Sequence, residues 1–339
     1  MTTAAIYGCA GLELTQGEAD FFASAAPFGF ILFARNVASP EQVRQLCLAL
    51  REASGRPEAP ILIDQEGGRV QRLKPPHWPA YPRGRVYGRL AEKSPALGPA
   101  FARLGARLIA HDLLKLGITA DAVPVLDIPQ PGAHDVIGDR AYGETVAAVA
   151  RLGRAAAEGL LAGGVLPIIK HIPGHGRALC DSHLALPRVE ASRDALSRTD
   201  FAPFRALSDM PMAMTAHVVY AALDPRRPAT TSRRVISDTI RTNIGFQGLL
   251  MSDDLSMQAL TGDLTTRAKA SLRAGCDVVL HCNGIMAEME AVARGTPTLG
   301  GESAKRAAAA LARAPKLEEP LDEDAARAQF QLWWDEAMA

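Results

Sequence analysis

The run L-P-I-I-K-H-I-P-G-H-G-R-A-L-C-D-S-H, residues 166–183, opens on a buried-looking strand, Leu166–Ile169. It turns at Lys170 and His171 into a loop dense in titratable groups. A short apolar run that ends abruptly in polar residues suits a strand covered on both faces whose carboxyl end meets a ligand. The pattern recurs along the chain, in runs near Ala4–Tyr7, Phe30–Phe33, Ile61–Ile63, Ile118–Val123, Met212–Thr215, Leu249–Met251 and Val278–Leu280. Polar groups at or just past these ends include Asn36, Asp64, Asp121, His217, Asp253, His281 and Asn283. Helical periodicity fills Glu41–Ala53, Ala100–Leu116, Val146–Ala162, Ser192–Ser208, Ser232–Asn243 and Thr265–Ala274. Ser39 before Pro40 and Glu41 marks one helix start, and Gly117, Gly163 and Gly275 mark helix ends. Eight strand–helix units predict an α/β fold, a TIM-type (β/α)8 barrel with its chemistry at the carboxyl ends of the strands. A Rossmann sheet, the main competitor, lacks a Gly-x-Gly-x-x-Gly after an early strand.

Composition narrows the function classes. The 339 residues carry 37 Lys+Arg and 37 Asp+Glu, so the formal charge is zero, which argues against a nucleic-acid or anionic-membrane binder. With 48% hydrophobic and 22% charged residues the chain reads as globular. No linker or repeat divides it. The expected organisation is a single catalytic barrel over 1–302, with 303–339 as C-terminal helices packed outside it and Trp333 and Trp334 as docking residues. The N-terminus has neither a basic region nor an apolar segment of signal-peptide length, and Ile6-Tyr7-Gly8-Cys9 lacks the hydrophobic stretch of a lipoprotein signal. Five cysteines with no Cys-x-x-Cys fit free thiols in a reducing compartment, so a cytoplasmic protein is expected.

Four strings carry the candidate chemistry. The Lys170–His183 loop holds three histidines, a lysine and an aspartate around Pro173, Gly174 and Gly176. His171, His175, Asp181 and His183 include zinc-ligand types, but Pro173 and Gly174 break the helix on which i and i+4 histidines usually share a metal, and no metal is expected. The alternative is a hydrogen bond between Asp181 and His183, which would fix the imidazole tautomer and make His183 an acid/base near neutral pH. In L-M-S-D-D-L-S-M, residues 250–257, one of Asp253 and Asp254 should face the barrel mouth while the other caps or hydrogen-bonds, because neighbours on a strand point opposite ways. In I-D-Q-E-G-G-R-V-Q-R, residues 63–72, Asp64 ends a strand, the glycine pair permits a tight turn, and Arg69 or Arg72 could reach a hydroxylated or acidic ligand. I-G-D-R-A-Y-G, residues 137–143, sets Arg140 in a loop. The competing readings of these strings are a solvated turn, a capping Asp-Asp pair and structural salt bridges.

Together the four strings resemble the family 3 glycoside hydrolases, and within them the bacterial β-N-acetylhexosaminidases that act on cell-wall amino sugars. The resemblance spans roughly residues 1–300 in order and spacing. It implies a TIM barrel and a retaining double displacement that releases terminal β-linked N-acetylglucosamine from muropeptide fragments. It implies Asp253 as nucleophile, His183 as acid/base with Asp181 as its dyad partner, and sugar binding by Asp64, Arg72, Arg140, Lys170 and His171. Ile172, where relatives often carry phenylalanine, and Cys180 beside Asp181 are small departures. No cofactor is expected, and the only partner is the amino-sugar substrate, with no nucleic acid, no membrane and a monomeric chain. An N-acetylglucosaminide phosphorylase on the same site, a non-catalytic sugar-binding barrel and a zinc hydrolase are the alternatives.

Overall fold

The computed structural model describes residues 1–182, 184–314 and 319–339; the candidate acid/base His183 lies outside the described residues. Eight parallel strands close a barrel: β1 (Thr3–Gly8), β2 (Pro27–Leu32), β3 (Ile61–Ile63), β4 (Ala120–Asp121), β5 (Leu166–Ile172), β6 (Met212–Thr215), β7 (Leu249–Asp254) and β8 (Val278–His281). Each pairs with the next in the chain, and β8 pairs with β1. All eight expected strands are there with shifted ends. β4 shrinks to two residues, and just past it the Val123 N–H turns back to the Asp121 carbonyl at 2.8 Å. β5 and β7 run on into the polar residues that follow their apolar cores.

Side chains alternate along most of these strands, and the alternation builds two layers. Ile6, Leu62, Ile168, Met212, Leu249, Met251, Val278 and Leu280 fill the barrel interior. Their neighbours Ala5, Tyr7, Ile61, Ile63 and Val279 face the surrounding helices, as do Ile169, Ala213 and Leu250 on the opposite side. Both faces of every strand are buried, which explains the near-continuous apolar runs in the sequence.

Helix Pro40–Ala53 starts where expected, with Ser39 Oγ accepting the Gln42 N–H, and Val146–Ala162 matches its expected bounds. The expected helix Ser192–Ser208 is instead two, Arg193–Arg198 and Ala202–Ala206. Pro203 occupies the first turn of the second, where its missing N–H does no harm but cannot continue the first. Ser232–Asn243 is realised as a π-helix, Val235–Ile244, stopped by Gly245 at φ 84°. Helix Gln16–Ala25 was not expected, although Thr15 and Glu18 form a complete capping box. Helices Gly84–Lys93 and Met286–Ala293 were also missed.

Two further helices come after Met286–Ala293. Gly301–Leu311 places Ala307 and Ala310 in the barrel-interior cluster and ties Ser303 and Arg306 to Asp277, at the entry to β8. In Glu323–Met338, Phe330 packs on Phe101 and Tyr81, with ring centroids 4.9 and 5.9 Å away, Trp334 packs on Phe330, and Arg327 pairs with Asp112 at 2.6 Å. Trp333 lies 6.4 Å from Phe101. Among the described residues no helix is long and apolar enough to cross a membrane.

Candidate active site

The inward rows of the barrel continue, two residues on, into polar side chains. Leu62 leads to Asp64, Ile168 to Lys170, Met251 to Asp253, and Leu280 to Cys282. These four, with Phe33 and Met214, surround a cavity of about 180 Å³ at the carboxyl ends of the strands. Two register shifts add a second residue from one strand. The β5–β6 pairing slips between Lys170 and Ile172, so His171 joins Lys170 on the cavity wall. The β7–β8 pairing slips between Met251 and Asp254, and both Asp253 and Asp254 line the cavity, against the expectation that only one would. Their roles still differ. Asp254 accepts from the backbone N–H of Ser256 and Cys282 and from the Ser256 hydroxyl, which fixes the turn.

One wall is a buried charge cluster. Lys170, 2% exposed, reaches Asp64 at 2.9 Å and Glu66 at 2.6 Å. Arg72 pairs with the other Asp64 oxygen at 3.0 Å, and Arg140 grips Glu66 with two N–H donors at 2.7 and 2.9 Å. Burial alone would raise both carboxyls. For Asp64 the Lys170 and Arg72 charges outweigh burial and hold it well below the usual range. For Glu66 the Arg140 and Lys170 charges do the same, to about 2. Burial works against the Lys170 ammonium too, yet the two carboxylates raise its pKa. Beneath them burial pushes Asp121 up to about 8, so it adds no charge at neutral pH. Three cations thus face two carboxylates, one positive charge in excess. The Gly67–Gly68 turn, both glycines at positive φ, folds the Gln65–Gly67 strand back on Val70–Gln71. Gln65 Oε1 accepts the Arg72 and Leu73 N–H groups there, which aims Arg72 at Asp64.

The histidine loop forms another wall. Asp127, fully buried, accepts His171 Nδ1 at 2.7 Å and the His175 backbone N–H at 2.6 Å. His175 Nε2 lies 3.2 Å from Ser182 Oγ, and burial lowers its pKa to about 4, so this imidazole is neutral at pH 7. His217, buried at the end of β6, sits 3.0 Å from the Asp254 carbonyl, which fixes its Nε2 as the protonated nitrogen. The loop is pinned on three sides. Gly176 O accepts Gln130 N, Arg177 pairs with Asp200 at 2.8 Å, and Ser182 O accepts Ala259 N beyond Asp253. The Asp181 carbonyl accepts Leu184 N and Ala185 N. Among the described residues no three His, Cys, Asp or Glu side chains converge as metal ligands.

Of the sequence-derived residues, Asp64, Arg72, Arg140, Lys170, His171 and Asp253 converge on one cavity. Asp181 belongs to the loop beside it, and Arg69 turns away to Asp135 and Asp139 on the rim. Asn36 serves the backbone, donating to Cys9 O and Gly11 O. Glu66 and Asp127 belong to the charged and hydrogen-bonded frame although sequence reasoning gave them no role there, and His217, read only as a polar group at a strand end, joins them. Glu66 had a signal, two residues past Asp64 in the same turn.

A conserved-domain description, the glycosyl hydrolase family 3 N-terminal domain, matches residues 16–313. The chain belongs to glycosyl hydrolase family 3. It is 41% identical over 280 residues to a β-hexosaminidase of Alkalilimnicola ehrlichii, covering 81% of this chain and 79% of that one. It is 37% identical over 315 residues to a β-hexosaminidase of Aromatoleum aromaticum, covering 92% and 87%. Among solved structures, NagZ of Neisseria gonorrhoeae in complex with N-trifluoroacetyl-D-glucosamine superposes with a TM-score of 0.84 at 34% identity, covering 98% of this chain and 96% of that one. The family 3 chain is a glycoside hydrolase of the β-hexosaminidase group, and its closed barrel is that family's fold.

Proposed function

We propose that this family 3 enzyme removes terminal β-linked N-acetylglucosamine by a retaining double displacement, with cytoplasmic muropeptide fragments as natural substrate. One observation carries the reading: Asp253, next on the inward row after Met251, projects into a small cavity whose wall carries the Arg72–Asp64–Lys170–Glu66–Arg140 cluster, three cations to two carboxylates. A cavity of about 180 Å³, floored by the barrel core, suits one sugar ring entering from a chain end better than an extended groove would.

Asp253 attacks the anomeric carbon and forms a glycosyl-enzyme, which water then hydrolyses. His183 protonates the leaving oxygen and afterwards takes the proton of the attacking water, while Asp181 stabilises its imidazolium. These two roles rest on the motif. Asp64, Lys170, Arg72, Arg140 and His171 hold the ring hydroxyls. The five free cysteines, four of them buried, support a reducing compartment.

The test is p-nitrophenol release from the β-N-acetylglucosaminide by wild type, Asp253→Ala and His183→Ala, with and without phosphate, and trapping with a fluorinated glycosyl fluoride followed by peptide mass analysis. The reading predicts phosphate-independent turnover and a label on Asp253. A label elsewhere overturns the nucleophile, and a phosphate requirement makes the enzyme a phosphorylase.

A further inference from the structure

Behind the histidine loop lies a second, larger cavity, of about 440 Å³, that the glycosidase reading does not use. Five arginines line it: Arg226, Arg227, Arg233, Arg267 and Arg273. No carboxylate lines it. In a chain of zero net charge, such a concentration is a local feature and not a by-product of a basic protein.

The guanidinium groups are also left available. Among the described residues none of the five makes an ion pair within 4.0 Å, whereas Arg72, Arg140, Arg154, Arg177, Arg241 and Arg327 all do. Arg267 spends its donors on the carbonyls of Gly262, Leu255 and Met257, which orient it, and the carboxylates that act on its charge, Asp254, Asp263 and Glu288, do so from beyond ion-pair distance. The nearby carboxylates stand outside the lining and reach the arginines by charge alone, Asp224 acting on Arg227 and Asp263 on Arg267, while their hydrogen bonds go to other groups. Asp224 accepts the Arg226 N–H and the Ser232 hydroxyl, and Asp263 caps helix Leu264–Ala274 through Thr266 N. Like charges held round one concavity repel one another unless an anion shares them. Leu186, Pro228 and Leu260 supply apolar wall between them.

The geometry points to a binding site for a small organic polyanion, a carbon skeleton bearing two or more carboxylates or phosphates. The volume lies in the range of organic-ligand pockets, too large for one inorganic ion, and guanidinium forks match both groups bidentately. Its position links it to the catalytic cavity. Ser182 lines one cavity and Leu186 the other in the same loop, and the Ser182 O to Ala259 N bond joins that loop to the segment that follows Asp253. The polyanion can therefore be the acidic tail of a substrate's aglycone or a free ligand. Binding itself does not depend on the glycosidase reading; only the aglycone arm of the test rests on it.

Calorimetry at low salt with citrate and with the dipeptide Glu-Glu tests the site, on wild type, Arg227→Ala/Arg273→Ala, Arg227→Lys/Arg273→Lys, and Arg44→Ala as a surface control. Both test positions are exposed, and neither guanidinium is fixed by a partner, so the variants should fold. The expectation is saturable binding to wild type and Arg44→Ala, at least tenfold weaker in the double alanine variant, with partial recovery in the lysine pair. No binding to wild type, or equal loss in Arg44→Ala, overturns the site. A matched pair of β-N-acetylglucosaminides, one with a Glu-Glu tail on the aglycone and one acetyl-capped, identifies the source. An acidic-tail KM advantage that disappears in the double alanine variant assigns the anion to the aglycone, and no advantage despite calorimetric binding assigns it to a free ligand. If neither glycoside is hydrolysed while the anions still bind, the glycosidase reading fails and the site stands.

Discussion

Lys170 Nζ lies 2.6 Å from Glu66 Oε1, both side chains almost wholly buried, and this contact joins the Asp64–Arg72 and Glu66–Arg140 pairs into one cluster. Removing one partner of such a pair strands the others in low dielectric. Lys170→Met should lower the unfolding free energy by about 3 kcal/mol, as breaking buried ion pairs does, and raise KM more than it lowers kcat. Urea unfolding with steady-state kinetics checks both; an unchanged unfolding free energy would show that Arg72 and Arg140 alone satisfy the carboxylates.

Two sets of buried groups should each withdraw stability in acid, over adjoining pH ranges. Burial lowers His175 from 6.5 to about 4 and lowers His217 and His281 as well. The unfolded chain takes up protons at these histidines before the fold does, so their contribution is full above pH 6.5 and declines towards pH 4, while Asp121, pushed up to about 8, works in the opposite sense over the same range. Glu66, held down from 4.5 to about 2, adds a second decline between those values, as its ion pairs are protonated away. His175→Gln should flatten part of the first window only, and Glu66→Gln part of the second only. Unfolding midpoints across pH 2–8 decide it, and a slope unchanged in both variants would remove these groups from the account.

Much of this site was readable beforehand, because the alternation of β-strands is rigid. Once Leu62, Ile168 and Met251 face the barrel interior, Asp64, Lys170 and Asp253 follow two residues on. The unread parts depend on irregular backbone. Asp254 joins Asp253 on the cavity wall through a register shift, which no periodicity announces; His171 enters by the same device, although the resemblance had already named it. Asp127 lies beyond Pro124 in a segment without repeating backbone, and only the folded chain brings it 2.7 Å from His171. The missed helix at Gln16–Ala25 is different, since the Thr15–Glu18 capping box stood in the sequence. Ser192–Ser208 had an apolar helical period, but Pro203 inside it was the stronger signal.

Gly176 couples the histidine loop to the segment after β4. A Cβ there would fall 1.9 Å from the Ile128 carbonyl oxygen, and that backbone cannot yield without moving Asp127 one residue earlier. Gly176→Ala should therefore displace the loop, lowering kcat at least tenfold while the barrel stays folded. Near-normal kcat with native circular dichroism would mean that the loop's position against Ile128 is immaterial to turnover.

The adjacent carboxylates at the end of β7 offer the sharpest discrimination, because they differ in environment and hardly at all in place. Asp254 serves three donors, the N–H groups of Ser256 and Cys282 and the Ser256 hydroxyl. Asn at this position keeps one acceptor oxygen and turns an amide N–H2 towards a donor, so Asp254→Asn should cost about 1–3 kcal/mol of stability and leave kcat within about tenfold. Asp253 next to it, proposed to bond the anomeric carbon, cannot be replaced by a neutral amide: Asp253→Asn should lose about 10⁴-fold or more in kcat, as deletion of a nucleophile does. The two variants, compared by thermal unfolding and by single-turnover kinetics, should thus show opposite profiles. If Asp254→Asn were the inactive one and Asp253→Asn the unstable one, the assignment would be exchanged, and with it the strand register on which the double displacement depends.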